Sequence, residues 1–333
     1  MTIIPKGYES RLSLYDTQRA VERIKYIFLA KLCTALHLVR VTAPLVVDPT
    51  TGMNDNLSGI ERPVSFDVLA TGKNAEVVQS LAKWKRYALR RYDFNMGKGL
   101  VCDMNAIRRD ETLDNLHSIY VDQWDWEKVI CEKDRTLEYL QDVVSRIVTA
   151  ICDTLDELKW HYPQLDVELD RKVTFVSAQE LEDLYPELAP QEREGRFVAD
   201  HHTTFIIGIG GALRSGRPHD SRSPDYDDWD LNGDLLFWDD VLGCALEASS
   251  MGIRVSPASL DQQLTIAGCD DRRKLPFHKM LLEGELPYTI GGGIGQSRLC
   301  MLLLGKAHVG EVQASVWDGE TVRTCQASGV QLL

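Results

Sequence analysis

The sequence predicts an α+β fold: an antiparallel sheet flanked by helices. Long amphipathic helical patterns and short strand patterns are intermixed without a regular βαβ alternation, which argues against a doubly wound parallel sheet. The chain has 333 residues, of which 44% are hydrophobic and 26% charged, the balance of a globular protein. No internal repeat or low-complexity segment interrupts the pattern, and the motifs fill one stretch of chain, so 1–333 is expected to form one catalytic domain.

The elements follow in order. Tyr15 to Leu36 reads as an amphipathic helix, because Val21, Ile24, Phe28, Leu32 and Leu36 recur at three- and four-residue spacing. It runs into an extended stretch from Leu38 to Pro44, where the proline keeps Ala43 out of helical space. Asp48 to Ser58 is polar and turn-rich and reads as a loop. Ser80 is placed to cap a short helix, Leu81 to Tyr92, whose five basic residues suggest a solvated face. His117 to Glu127 alternates as a strand with Tyr120, Trp124 and Trp126 on one face; Gln123, Asp125 and Glu127 share the other. Glu132 to Tyr162 is a long helix ended by Pro163. Val173 to Val176 and Phe205 to Ile209 are short strands separated by helical segments, and Asp234 to Trp238 and Ala245 to Ser250 form a strand pair. Ser259 to Ala267 and Phe277 to Glu283 are helices; Gly291 to Gly295 is a glycine-rich turn or strand leading into a helix, Gln296 to Leu304.

Composition narrows the function. The formal net charge of −13 disfavours a nucleic-acid binder, which carries a basic footprint. The eight cysteines are scattered and form no Cys-x-x-Cys pair, so they read as reduced thiols of a cytoplasmic protein. The longest apolar run near the C-terminus, Leu299 to Leu304, is too short to span a membrane, and no targeting segment is visible. His201 and His202 are adjacent, so their side chains diverge and suit a loop better than a metal. No Gly-x-Ser-x-Gly elbow or activated cysteine points to a covalent nucleophile.

Four constellations carry chemistry. Glycines 291, 293 and 295 let a flat group approach the backbone, and Arg298 follows three residues later, able to stack on a purine or reach a phosphate. The alternative is a tight turn with a surface arginine. Arg108 precedes an acidic loop and a strand, a setting that can present it to a phosphate or leave it on an exposed hairpin. Glu247 lies in a run of apolar and small residues, with Asp234 on the preceding strand. The two carboxylates are natural Mg²⁺ ligands, unless Glu247 simply pairs with Arg254. Asp225, Asp227 and Asp228 fall within four residues; such runs are mostly solvated loops, though Tyr226 and Trp229 suggest anchoring.

In this order the segments resemble the three motifs of class II aminoacyl-tRNA synthetases. A closer resemblance, covering the chain from the first helix to Trp317, is to ammonia-dependent asparagine synthetases (aspartate–ammonia ligases). It is carried by 55–59 (Asp-Asn-Leu-Ser-Gly), 80–86 (Ser-Leu-Ala-Lys-Trp-Lys-Arg), 120–127 (Tyr-Val-Asp-Gln-Trp-Asp-Trp-Glu), 224–229 (Pro-Asp-Tyr-Asp-Asp-Trp), 249–254 (Ser-Ser-Met-Gly-Ile-Arg) and 291–298 (Gly-Gly-Gly-Ile-Gly-Gln-Ser-Arg). The resemblance implies ATP-dependent amidation of L-aspartate by ammonia through a β-aspartyl adenylate, with Mg²⁺, in a homodimer. It implies that Arg108 holds the α-phosphate, that Arg298 holds the adenine end with Gly293 and Gly295, and that Glu247, Asp234 and Ser250 manage Mg²⁺ and phosphate. Asp55, Ser80, Lys85, Gln123, Asp125, Ser249 and Arg254 are implied around the amino acid, and Asp227 near the reacting carboxylate and ammonia. Gln79 departs from the family pattern, where a histidine is expected, and the segment from Trp229 to Asn232 is short. An aspartyl- or asparaginyl-tRNA synthetase is the first rival; the motifs, running from near residue 15 to near 304, leave no room for its anticodon-binding domain. A silent paralogue is the second, and the retained Arg108, Arg298, Asp234 and Glu247 argue against it.

Overall fold

The computed structural model describes residues 1–55, 57 and 61–333. Asn56, Ser58 and Gly59 of the Asp55–Gly59 motif therefore lie outside the described residues. The elements are α1 (Leu14–Leu36), β1 (Leu38–Arg40), β2 (Val46–Val47), β3 (Ser65–Val68), β4 (Lys73–Val77), α2 (Ala82–Arg91), β5 (Gly99–Ile107), β6 (Tyr120–Val129), α3 (Leu137–His161), β7 (Thr174–Ser177), α4 (Ala178–Leu184) and α5 (Pro190–Asp200). They continue with β8 (Thr203–Ile207), β9 (Asp227–Asp239), β10 (Cys244–Arg254), α6 (Pro257–Ile266), α7 (Pro276–Leu282), β11 (Thr289–Gly295), α8 (Gln296–Leu303) and α9 (Gly319–Ala327).

Eight strands form the main sheet in the order β1-β5-β6-β11-β10-β9-β8-β7. Its six central strands are mutually antiparallel, and β1 and β7 join the edges in parallel. The alternation in β6 decides which face is dry. Trp124 and Trp126 enter the main core with Phe28 and Leu32 of α1, Val144 and Ile151 of α3, and Leu299 and Leu303 of α8. The Phe28 and Trp124 rings lie 4.8 Å apart. The opposite face of the same strands carries Gln123 and Asp125 and opens onto a pocket.

Local capping fits the helix starts. Ser13 accepts from Asp16 N–H at the head of α1 and Thr136 accepts from Tyr139 N–H at the head of α3. The latter shows why the long helix begins at Leu137; Glu132–Asp134 is a separate 3₁₀ turn. Three short strands, β2-β4-β3, form a small second sheet that the sequence pattern does not reveal. The segment Trp229–Asn232 is part of the continuous strand β9. Among the described residues no helix is long and apolar enough to cross a membrane.

Candidate functional site

A cavity of about 480 Å³ opens on the polar face of the sheet, within the range of small-molecule sites. Asp55, Ser80, Lys85, Arg108, Gln123, Asp125, Asp227, Glu247, Ser249, Ser250, Arg254, Gly293, Gly295 and Arg298 all line it. Of the residues selected from sequence, Gly291, Asp225, Asp228 and Asp234 stand back from the wall; Asp234 is tied to the cavity by Arg222, which does line it.

The floor is built by β6 and β11. Gly291 lies opposite Glu127 and Gly293 opposite Asp125. A methyl group at Gly291 would land on the Glu127 carboxylate; one at Gly293 would land on the Gln123 amide, 3.3 Å from Asp125 Oδ1. These two glycines therefore make room for polar side chains of the neighbouring strand, a tighter requirement than approach by a ligand. Gly295 is roomier: the nearest atom to such a methyl group is Arg298 Cβ at 3.4 Å.

Lys85 reaches the floor from α2. Its Nζ donates to Asp125 Oδ1 and, at 2.8 Å, to the carbonyl of Gly292. Asp125 Oδ2 is buried with no partner, which leaves a carboxylate oxygen available to a cationic or N–H group of a ligand. Ser249 Oγ and Asp55 Oδ2 are likewise buried without partners. Burial raises the Asp55 carboxyl above the ordinary range, with Lys83 pulling it down and Asp225 pushing it up. Ser80 Oγ accepts from Ala82 N–H at 3.1 Å, but Leu81 occupies the cap position of α2 and no side chain caps it, so the expected Ser80 cap is not formed.

Arg254 has closer partners than Glu247. Its Nε and Nη2 donate to Glu127, Nη2 at 2.9 Å, and its Nη1 donates to Asp227. Thr289 Oγ1 adds a bond to Glu127 at 2.7 Å. The Glu247–Arg254 pairing that the sequence allowed is not formed: Glu247 Oε2 faces Arg298 Nη1 at 3.7 Å. Asp227 is buried, and desolvation raises its carboxyl while Arg254 and Arg222 counter it.

Two readings of charged runs need correction. The basic face of α2 is not solvated: Lys83, Lys85 and Arg86 are buried and only Arg90 and Arg91 are exposed. Each buried cation has a specific acceptor; Arg86 donates to the carbonyls of Pro287 and Val255, and burial lowers its pKa to about 10. The three carboxylates Asp225, Asp227 and Asp228 are also buried, with Tyr226 half-buried among them. Asp225 accepts from Arg272 at 2.9 Å, faces His278 at 2.9 Å and pairs with Lys83 at 3.4 Å. Against the effect of burial, Lys83 and His278 hold its carboxyl well below the usual range. Asp228 pairs with Arg135 at 2.7 Å. Gln79 is fully buried with its amide unpartnered.

On the phosphate side, Arg108 follows β5 and its Nε is buried without an acceptor. Arg298, in the first turn of α8, donates to the carbonyls of Leu116 and Glu247 at 3.3 and 3.1 Å. Asp234 lies opposite Ser250 in the β9–β10 register, within electrostatic reach of Glu247. Among the described residues no group of three or more His, Cys, Asp or Glu is arranged to hold a metal. Two carboxylates suit a Mg²⁺ ion that arrives with phosphates and completes its shell with phosphate and water oxygens, so the residues fit that mode of binding. Arg222, Lys83 and Asp225 were given no individual role from sequence; Arg222 is a single charge in a polar stretch, Lys83 one of several cations in a basic stretch and Asp225 one of three carboxylates in an acidic run, and only the tertiary pairing distinguishes each.

Comparison with known proteins identifies the fold and the family. The asparaginyl-tRNA synthetase from Pyrococcus horikoshii complexed with asparaginyl-adenylate superposes with a TM-score of 0.65 at 14% identity, covering 91% of this chain and 70% of that one. The Entamoeba histolytica asparaginyl-tRNA synthetase in complex with asparaginyl-adenylate gives 0.63 at 15% identity, covering 90% and 66%. At such identities the likeness establishes the fold, that of class II aminoacyl-tRNA synthetases. The aspartate–ammonia ligase of Lactobacillus johnsonii is 56% identical over 333 residues, 99% of each chain. That of Clostridium perfringens (strain 13) is 56% identical over 331 residues, 99% of this chain and 98% of that one. Residues 15–329 match the family described as "Aspartate-ammonia ligase". A class II synthetase sheet and near-complete coverage by ligases at such identity lead to one assignment: the chain belongs to the aspartate–ammonia ligase family.

Proposed function

We propose that the chain uses ATP to activate the side-chain carboxylate of L-aspartate as a β-aspartyl adenylate, and that ammonia then displaces AMP to give L-asparagine. The observation that carries this reading is that one cavity holds an unsatisfied guanidinium N–H, Arg108 Nε, together with unsatisfied acceptors, Asp125 Oδ2, Asp55 Oδ2 and Ser249 Oγ. The first suits a phosphate oxygen and the acceptors suit an amino acid and ammonium. Family membership supports aspartate and ammonia as the partners in ligation.

The chemistry follows from the leaving group. A carboxylate is a poor acyl donor because oxide would have to depart. In the first step a side-chain carboxylate oxygen bonds to the α-phosphorus and pyrophosphate leaves. Positioning and charge neutralisation dominate such a transfer, and Arg108 is the residue for the α-phosphate. Arg298 and the open backbone at Gly295 take the adenine end. Magnesium, when bound with ATP, supplies further neutralisation of the phosphates, and Glu247 and Asp234 would hold it. Asp125 receives the substrate ammonium group on its free oxygen, with Gln123, Ser80, Ser249 and the Lys85 ammonium around it. Arg254 reaches the α-carboxylate only by giving up Asp227. In the second step the nitrogen lone pair attacks the acyl carbon, AMP departs with the electron pair, and the nitrogen loses a proton. Asp55 is the better acceptor of that proton: it keeps a free oxygen and a raised affinity for protons, whereas Asp227 is held by Arg254.

Two further features belong to the same reading. Pairing of two chains through α1 and β1 would give a homodimer; light scattering at micromolar concentration should give twice the chain mass, and an active monomer would refute it. The eight free cysteines suit a reducing cytoplasm. The test of the reaction is product analysis with aspartate, ATP, Mg²⁺ and ammonium. Asparagine, AMP and pyrophosphate should appear in equal amounts; ADP and phosphate would overturn the adenylate.

A further inference from the structure

Asp234 and Ser250, both expected beside the phosphates, are held by one arginine. Arg222 lies on the loop 208–226 between β8 and β9. Its Nη1 donates to Ser250 Oγ and its Nη2 to Asp234 Oδ1 at 2.6 Å. The side chain is 10% exposed, yet its Nε has no acceptor although it is buried. An ionised donor without a partner is costly in such a place. Neutralising Asp234 explains Nη2 and leaves Nε unexplained.

The loop holds this arginine in place. The side chain of Asn232 clamps Ile209 through both its backbone N–H and its carbonyl, at 2.8 and 2.9 Å. Gly210 has φ +107°, and a side chain there would strike the Trp229 ring and come within 2.8 Å of Arg222 Cβ. Glycine at this position lets the loop pack flat between Trp229 and Arg222.

We propose that Arg222 contacts substrate, binding the β- and γ-phosphates of ATP and neutralising the departing pyrophosphate; this rests on the adenylation reading above. The location argues for that end of the triphosphate. The carboxylates that would hold a Mg²⁺ ion arriving with the triphosphate, Asp234 and Glu247, are those whose charges Arg222 meets. Arg108 approaches from the end of β5 and serves the α-phosphate. In the step itself, a side-chain carboxylate oxygen bonds to the α-phosphorus, the bond from that phosphorus to the oxygen bridging the β-phosphorus breaks, and the electron pair leaves on pyrophosphate. No proton is transferred. The charge that builds on the bridging oxygen and the β-phosphate is met by the free Nε–H.

Calorimetric titration of the full chain with ATP, AMP, pyrophosphate and L-aspartate, each alone so that no turnover occurs, tests this. Arg222→Gln should weaken ATP and pyrophosphate about 10- to 100-fold, the loss of a charge-assisted bond, and leave AMP within about twofold. Arg222→Lys, which keeps a cation beside Asp234 but lacks Nε, should recover the thermal stability and part of the ATP affinity. Equal loss for ATP and AMP, or no loss, would overturn the proposal and leave Arg222 as a counter-ion of Asp234. Selective loss of aspartate would overturn it in favour of the amino-acid carboxylate. Formation of ADP by the wild-type chain would sink the adenylation reading, whereas the ATP-versus-AMP contrast reports on Arg222 either way.

Discussion

Asp125 and Lys85 set the charge of the pocket floor, and their pairing leaves one carboxylate oxygen for a ligand. Asp125→Asn keeps the shape, removes the charge and leaves the fully buried Lys85 without its counter-ion. The KM for aspartate should rise roughly 10- to 100-fold, as for loss of a buried charged hydrogen bond, while the KM for ATP stays within a few-fold. Trp124→Phe, on the opposite face against Phe28, should cost about 1–3 kcal/mol in urea denaturation through lost packing and leave aspartate binding alone. Equal shifts in both KM values for Asp125→Asn, or an aspartate defect in Trp124→Phe, would contradict the assigned faces of β6. This face assignment was legible in the sequence because strand alternation is local. The partners of Arg254 were not, because Glu127 and Asp227 are each over a hundred or some tens of residues away along the chain. Charge density misled in the same way: Lys83, Lys85 and Asp225 look like surface residues until tertiary pairing supplies their counter-ions.

Among the elements, β11 makes the sharpest demand on sequence. Gly291 and Gly293 face different neighbours, so the same substitution should fail in different ways. Gly291→Ala pushes on Glu127, the buried partner of Arg254, and should lower stability by about 3–5 kcal/mol, as when a buried ion pair is broken. Gly293→Ala displaces the Gln123 amide; it should leave thermal stability near wild type and weaken aspartate binding at least about tenfold. Melting curves and aspartate titrations of the two variants separate these outcomes, and identical behaviour would contradict the register of β11 on β6. The long helices α1 and α3 were readable from their apolar stripes, but α3 was read as starting at Glu132, five residues early, because Glu132–Asp134 forms a separate 3₁₀ turn ahead of the Thr136 cap. The small sheet escaped because β2, β3 and β4 are two to five residues long and mostly exposed, with too few side chains in a core to impose a period. The strand β9 was read too short because its first part carries the Asp227-Asp228 pair, which resembles a loop until Arg254 and Arg135 neutralise it.

At the scale of the whole molecule, one sheet separates a helix-covered apolar face from a polar cavity, and the intermixing of helices and strands was enough to indicate that class of fold. Strand order was not readable: β11 enters between β6 and β10, a pairing that depends on segments distant in sequence. Away from the cavity, His308 is fully buried, accepts from Gly310 N–H at Nδ1 at 3.0 Å and packs edge-on against Trp317. Burial lowers its pKa to about 4. The native state therefore keeps it neutral while the unfolded chain takes up a proton below about pH 6.5, so its contribution to stability is full above that pH and is lost towards pH 4, by up to roughly 3 kcal/mol. The raised carboxyls of Asp55, Asp227 and Glu311 act with the opposite sign, so the difference between wild type and His308→Asn isolates the histidine. The two stability curves should converge as pH falls from 6.5 to 4; parallel curves would contradict the assignment. The central claim, however, is that aspartate is activated by bonding its own carboxylate oxygen to the α-phosphorus. Aspartate labelled with ¹⁸O in the side-chain carboxylate, turned over with ATP and ammonia, measures this directly by mass spectrometry of the nucleotide product. An acyl adenylate predicts one ¹⁸O atom in each AMP, carried there when ammonia cleaves the acyl–oxygen bond. Unlabelled AMP, or label appearing in inorganic phosphate beside ADP, would contradict it.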